Sequence, residues 1–154
     1  MVEKCNSTSA LVSTDWVTQH FESPSVAIVE VNTNPENGYQ KGHIPGAISW
    51  NLHMDLEHQI KRDIPSVAQL ELLLGNSGIS NNTNIVLYSD DGNRSATWAF
   101  WILKYYGHNN LHLMNGGRKK WMIEERRIDT IIPTPATQTY KVSPPNHSLR
   151  ATRE

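Results

Sequence analysis

Runs of β-branched residues that alternate with longer amphipathic stretches restrict this chain more than any other feature. Val26–Val31 and Asn84–Tyr88 read as buried strands, because a short, nearly continuous apolar run between turn residues suits a strand covered on both faces. Between them, Ser66 is placed to cap a helix whose apolar face is Val67, Leu70, Leu73 and Leu74, with Gly75 or Gly78 to end it. After the second strand, Ser95–Tyr106 is apolar almost all round, as expected of a helix packed on a sheet, and Gly107 stops it. A third short strand, Leu111–Met114, leads through the turn Asn115–Gly117 into a last helix containing Trp121 and Ile123. Near the start, Ser13 or Thr14 can cap a helix through Trp16, Val17 and Phe21. Strand and helix in alternation predict an α/β fold: a parallel β-sheet with crossover helices on both faces.

A chain of 154 residues is long enough for one domain with its own core. We expect a flexible N-terminus over 1–10, a compact domain over 11–132, and a linker or tail over 133–154, where prolines and threonines replace periodicity. With 14 Lys and Arg against 15 Asp and Glu, the charge is near balance. That speaks against nucleic acid, whose phosphates call for a cationic excess. No apolar run approaches the about 20 residues of a membrane span, and Met1–Ala10 has no signal-peptide core, so a cytoplasmic location is expected. The single cysteine, Cys5, cannot form an internal disulfide and agrees with a reducing compartment. Asn-x-Ser/Thr triplets at Asn6, Asn81, Asn93 and Asn146 lack a secretory context.

The loop between the second strand and the following helix is Ser89-Asp90-Asp91-Gly92-Asn93, ahead of Arg94 and Ser95. It sits at the carboxyl end of a central strand, where open parallel sheets place ligands. A tight loop feeding a helix N-terminus aims backbone N–H groups inward and adds the positive end of the macrodipole, forming a cradle for anions. A cysteine at its start would have its thiolate stabilised by the same amides.

Gly42-His-Ile-Pro-Gly-Ala-Ile48, the Tyr88–Ser95 loop, Tyr106-Gly-His108 and Asn115-Gly-Gly-Arg-Lys-Lys-Trp121 occur in an order and spacing that resemble the rhodanese family of sulfurtransferases, from about Leu11 to Ile128. The likeness is stronger to the N-terminal half of tandem thiosulfate sulfurtransferases, and Ser143–Arg150 resembles the start of the connection between their halves. The resemblance implies transfer of sulfane sulfur from thiosulfate to cyanide or a thiol through a cysteine persulfide, without cofactor or metal. In active members the cysteine opens the loop, with glycine three residues on and a polar or basic residue at five. Gly92 and Arg94 then put Ser89 at the nucleophile position. Serine cannot carry a persulfide, and Asp90 and Asp91 would repel an anionic donor. The implication is a pseudo-active site in a non-catalytic half, partnered by a second, cysteine-containing domain in cis or in trans that receives a small anionic sulfur donor. Glu30-Val31-Asn32, where many single-domain relatives have Asp-Val-Arg, is a further departure from catalytic members. The alternative is a free-standing non-catalytic module that binds a protein or small anion. A phosphatase built on the same loop would need the cysteine too.

Other residues have plainer readings. Cys5 lies in a segment expected to fray, with only Lys4 beside it to lower its pKa. Asp90 and Asp91 suit a solvated turn better than a metal or acid–base pair, and Arg94 can pair with either or hold an anion. His43, His53, His58, His108 and His112 show no ligand spacing on one helix and read as hydrogen-bonded loop residues. Arg118, Lys119 and Lys120 read as a solvated helix face beside a buried Trp121. Trp98, Trp101, Tyr105 and Tyr106 suit core packing or a surface for a partner domain.

Overall fold

A computed structural model describes residues 10–57 and 64–144. Five parallel strands form one sheet in the order β1-β5-β4-β2-β3. They are β1 (Leu11–Val12), β2 (Val26–Asn32), β3 (Ile48–Asn51), β4 (Asn84–Tyr88) and β5 (Leu111–Met114). The helices are α1 (Thr14–His20), α2 (Leu52–Asp55), α3 (Val67–Asn76), α4 (Arg94–Tyr105) and α5 (Gly117–Ile123). The three expected strands form the centre, and the edges β1 and β3 are additions. β1 is two residues long and is defined only by pairing Leu11 with Leu113 and Val12 with Met114. Such a strand has no local pattern to read.

The alternation along β4 shows how the sheet is covered. Ile85 and Leu87 point into one core with Val29, Val31, Leu70 and Leu74 of α3, and Ala99, Ile102 and Leu103 of α4. Val86 and Tyr88 point into a second core with Ile28, Val17 of α1 and Trp121 of α5. Helices on both faces are therefore what the period-2 pattern of a doubly covered strand requires.

The caps follow the sequence. Ser13 Oγ accepts from Trp16 N at 2.9 Å and Ser66 Oγ from Gln69 N at 3.2 Å. At the end of α3, Gly78 has φ +78°, which lets the Ile79 amide reach Leu74 O at 3.0 Å. Gly107, at φ +89°, ends α4 the same way, with His108 N on Leu103 O at 2.9 Å. Both are Schellman endings, which need a left-handed residue that glycine supplies without strain.

The packed body continues past Ile132, where the sequence suggests its end. Residues 133–144 carry no regular structure yet lie along the domain: Gln138 N donates to Gly75 O, Val142 N to Glu71 Oε2, and Ser143 N to Tyr106 O. Asn81 holds Lys141 through both its amide oxygen and its amide nitrogen. Tyr140 is buried in the α3–α4 core, and its hydroxyl is hydrogen-bonded to His108 Nδ1 at 2.7 Å. This strap covers apolar surface that the sheet and helices leave open, so its lack of periodicity does not make it detached.

Candidate functional site

The Ser89–Ser95 loop leaves the carboxyl end of β4 and turns into α4, as expected. Gly92 at φ +71° and Asn93 at φ +66° make the turn left-handed. Asn93 is one of few residue types that accept this conformation, and its side chain ties the start of the loop to the end of β5. Its Oδ1 accepts from Ser89 N at 2.9 Å, and its Nδ2 donates to Met114 O at 2.8 Å. Gly117 passes so close that a Cβ there would lie 2.7 Å from Asn93 Oδ1 and 2.8 Å from Ser89 O. That contact explains the second glycine of Asn115-Gly-Gly117, while Arg118 N donates to Ser89 O at 3.0 Å.

Asp91 binds back onto the start of α4. Its Oδ1 accepts from Ser89 Oγ at 2.7 Å and from Ser95 N at 3.1 Å, and its Oδ2 accepts from Ser95 Oγ at 2.7 Å. Ser89 Oγ in turn accepts from Ala96 N at 3.3 Å. Donors at the start of α4 that could serve a bound anion are thus spent on the protein's own carboxylate and hydroxyl. Burial works against ionisation of Asp91, but the hydroxyls of Ser89 and Ser95 and the Ser95 amide outweigh it and hold the carboxyl below the usual range. Ser89 is almost fully buried, and its hydroxyl proton is directed at Asp91.

The other loop residues separate. Asp90 Oδ2 lies toward Gly38 and the Arg118 guanidinium, 3.4 Å from where a Gly38 Cβ would stand. Arg94 is exposed and forms no ion pair with Asp90, Asp91 or any other described residue. It lines a separate groove of about 550 Å³ with Leu52, Glu57, Ser95, Thr97, Trp98 and Trp101. The pairing of Arg94 with the adjacent aspartates, open in the sequence, does not form.

A buried polar cluster under the loop escaped the sequence reading. Arg118 does not join a solvated face with its neighbours: its side chain is 12% exposed and reaches Glu30 Oε1 at 2.9 Å. It also donates to Gly38 O at 3.0 Å and Gly42 O at 2.6 Å, which ties the Gly42–Gly46 segment to α5. Tyr88 Oη donates to the same Glu30 oxygen at 2.7 Å, while Glu30 Oε2 is buried with no partner among the described residues. Burial pushes the Glu30 carboxyl up, against the opposing pull of Tyr88 and Arg118. Glu30 and Tyr88 face each other across paired strands, a relation signalled only by the register Glu30↔Tyr88.

His43 contacts two backbone carbonyls, Nδ1 to Tyr39 O and Nε2 to Ile131 O, both at 2.8 Å. His108 sits between Tyr140 Oη and Thr83 O, with Nε2 placed to donate to the Thr83 carbonyl at 2.8 Å, and burial lowers its pKa. His53 is paired with Glu57 at 3.2 Å. Among the described residues no three His, Cys, Asp or Glu side chains converge as a metal ion would need. No helix among them is long and apolar enough to cross a membrane. Cys5, Asn6, His58 and Asn146 lie outside the described residues.

Comparison with known proteins agrees with this architecture. The profile of the rhodanese-like domain matches residues 13–124. The sulfur carrier protein TtuD of Thermus thermophilus is 42% identical over 94% of this chain and 50% of its own length. A candidate thiosulfate sulfurtransferase of Haloferax volcanii is 40% identical over 94% of this chain and 52% of its own. The chain thus spans about half the length of the curated relatives it matches. The 3-mercaptopyruvate sulfotransferase SseA of Escherichia coli superposes with a TM-score of 0.77 at 18% identity, over 88% of this chain and 55% of that one, which speaks for the fold. With the profile covering most of a doubly covered parallel sheet and its loop, this chain belongs to the rhodanese-like domain family.

Proposed function

We propose that this chain is the non-catalytic N-terminal half of a tandem sulfurtransferase. It forms the scaffold and one wall of an active site whose persulfide-forming cysteine belongs to a second rhodanese domain, in cis or in trans. The observation that carries this reading is the self-occupied loop: Ser89 stands at its start, and Asp91 takes the donors of the α4 N-terminus. In a working loop, a thiolate attacks the sulfane sulfur of thiosulfate, the sulfur–sulfur bond breaks, sulfite leaves with the electron pair, and a persulfide remains for cyanide or a thiol to take. Here the first atom is oxygen, and the anion position is filled by a carboxylate that repels a dianionic donor. The half-length match to relatives with sulfur-transfer names supports the tandem reading.

Sulfur transfer from thiosulfate to cyanide tests it. The chain alone is expected to be silent, and Ser89→Cys alone to stay silent, because Asp91 would hold the thiol proton as it now holds that of Ser89. Adding Asp91→Ala to Ser89→Cys is expected to give a persulfide detectable by mass. Turnover by the unaltered chain that Cys5→Ser abolishes would overturn the reading.

A further inference from the structure

We propose that the groove between α2 and the first two turns of α4 binds a small apolar monoanion, a ring or branched aliphatic body bearing one carboxylate. The groove shares Arg94 and Ser95 with the end of the Ser89–Ser95 loop but does not depend on the function proposed for that loop. Its walls are Leu52, Trp98 and Trp101, and Arg94 stands at its rim. Its volume of about 550 Å³ lies in the range of small-molecule sites, which pair a mostly apolar lining with a few polar groups that fix orientation.

Hydrogen-bond accounting selects the ligand's charge. Trp98 Nε1 donates to Leu56 O at 3.0 Å, Thr97 Oγ1 to Asn93 O at 2.8 Å, and Ser95 Oγ to Asp91 at 2.7 Å. Glu57, the acid among the described lining residues, is engaged by His53 at 3.2 Å. Among the described lining residues Arg94 has no ion-pair partner, and a guanidinium beside half-buried indoles suits a carboxylate on an apolar body. Trp98 and Trp101, stacked with centroids 5.7 Å apart, give that body a flat wall.

The test is an NMR titration of the intact chain with phenylacetate, its neutral isostere phenylacetamide, and the cation phenethylamine. Phenylacetate is expected to saturate with a Kd of about 1 mM or tighter, shifting the Trp98 and Trp101 indole N–H signals and the Arg94 and Thr97 amides. Phenylacetamide is expected to bind roughly tenfold more weakly and phenethylamine not at all, and Arg94→Gln to weaken phenylacetate by about the same factor. Arg94 is exposed, so the variant keeps the fold, which its unchanged spectrum elsewhere verifies. Equal binding of acid and amide, retention of binding in Arg94→Gln, shifts confined to other parts of the molecule, or no saturation would each overturn the proposal.

Discussion

Replacing Asn93 separates two contributions that meet in one side chain. The residue adopts φ +66° and holds Ser89 N at 2.9 Å and Met114 O at 2.8 Å. Losing two hydrogen bonds costs about 0.5–1.5 kcal/mol each, so either Asn93→Gly or Asn93→Ala should destabilise the domain by about 1–3 kcal/mol from this source. Alanine adds about 1–2 kcal/mol for a left-handed conformation, which glycine avoids. Glycine in turn loosens the unfolded chain by about 0.5–1 kcal/mol. The net expectation is that Asn93→Ala lies about 0.5–1 kcal/mol below Asn93→Gly, with both well below the unaltered protein. Urea unfolding followed by tryptophan fluorescence, read as midpoints at a common m-value, measures both differences. If alanine were as stable as glycine, the left-handed turn would not be the constraint. If both stayed within about 0.5 kcal/mol of the unaltered protein, the ties to Ser89 and Met114 would carry no weight.

Other expectations follow from the buried polar groups. Arg118→Met leaves Glu30 as a buried carboxylate without its cation and should cost about 3–5 kcal/mol in urea, with partial recovery when Glu30→Gln is added. Because the folded His108 pKa is lowered, its contribution to stability is present above the ordinary pH of about 6.5 and lost as pH falls toward the lower folded value. His108→Gln should flatten that part of a stability–pH curve. Tyr140→Ala should cost about 3–5 kcal/mol and expose 133–144 to limited proteolysis, whereas a detached tail would be cut equally fast in both proteins.

The elements that were legible are those whose cause is local. Val26–Asn32, Asn84–Tyr88 and Leu111–Met114 are recognisable because each is a short apolar run between turn residues. α3 and α4 are legible from Ser66, Gly78 and Gly107, since caps and left-handed glycines act within one turn of themselves. β3 is not, because Ile48-Ser-Trp-Asn51 becomes a strand only by pairing with β2. The position of the loop between β4 and α4 is legible from the strand before it and the helix after it. That Asp91 bonds to Ser89 and Ser95 while Asp90 and Arg94 turn elsewhere is not legible there, because adjacent residues in a tight turn point in directions set by φ and ψ.

The sequence by itself determined the α/β alternation, the helix ends and the place of the loop between β4 and α4, all consequences of residue type and spacing along the chain. Only the tertiary structure decided that Arg118 is spent on Glu30, Gly38 and Gly42, that residues 133–144 complete a core through Tyr140, and that Arg94 faces an aromatic groove. Each of these joins groups from different elements. Burial removes the water that would otherwise satisfy a charge or cover an apolar ring, so the partner is fixed by which elements pack together rather than by the neighbours in sequence.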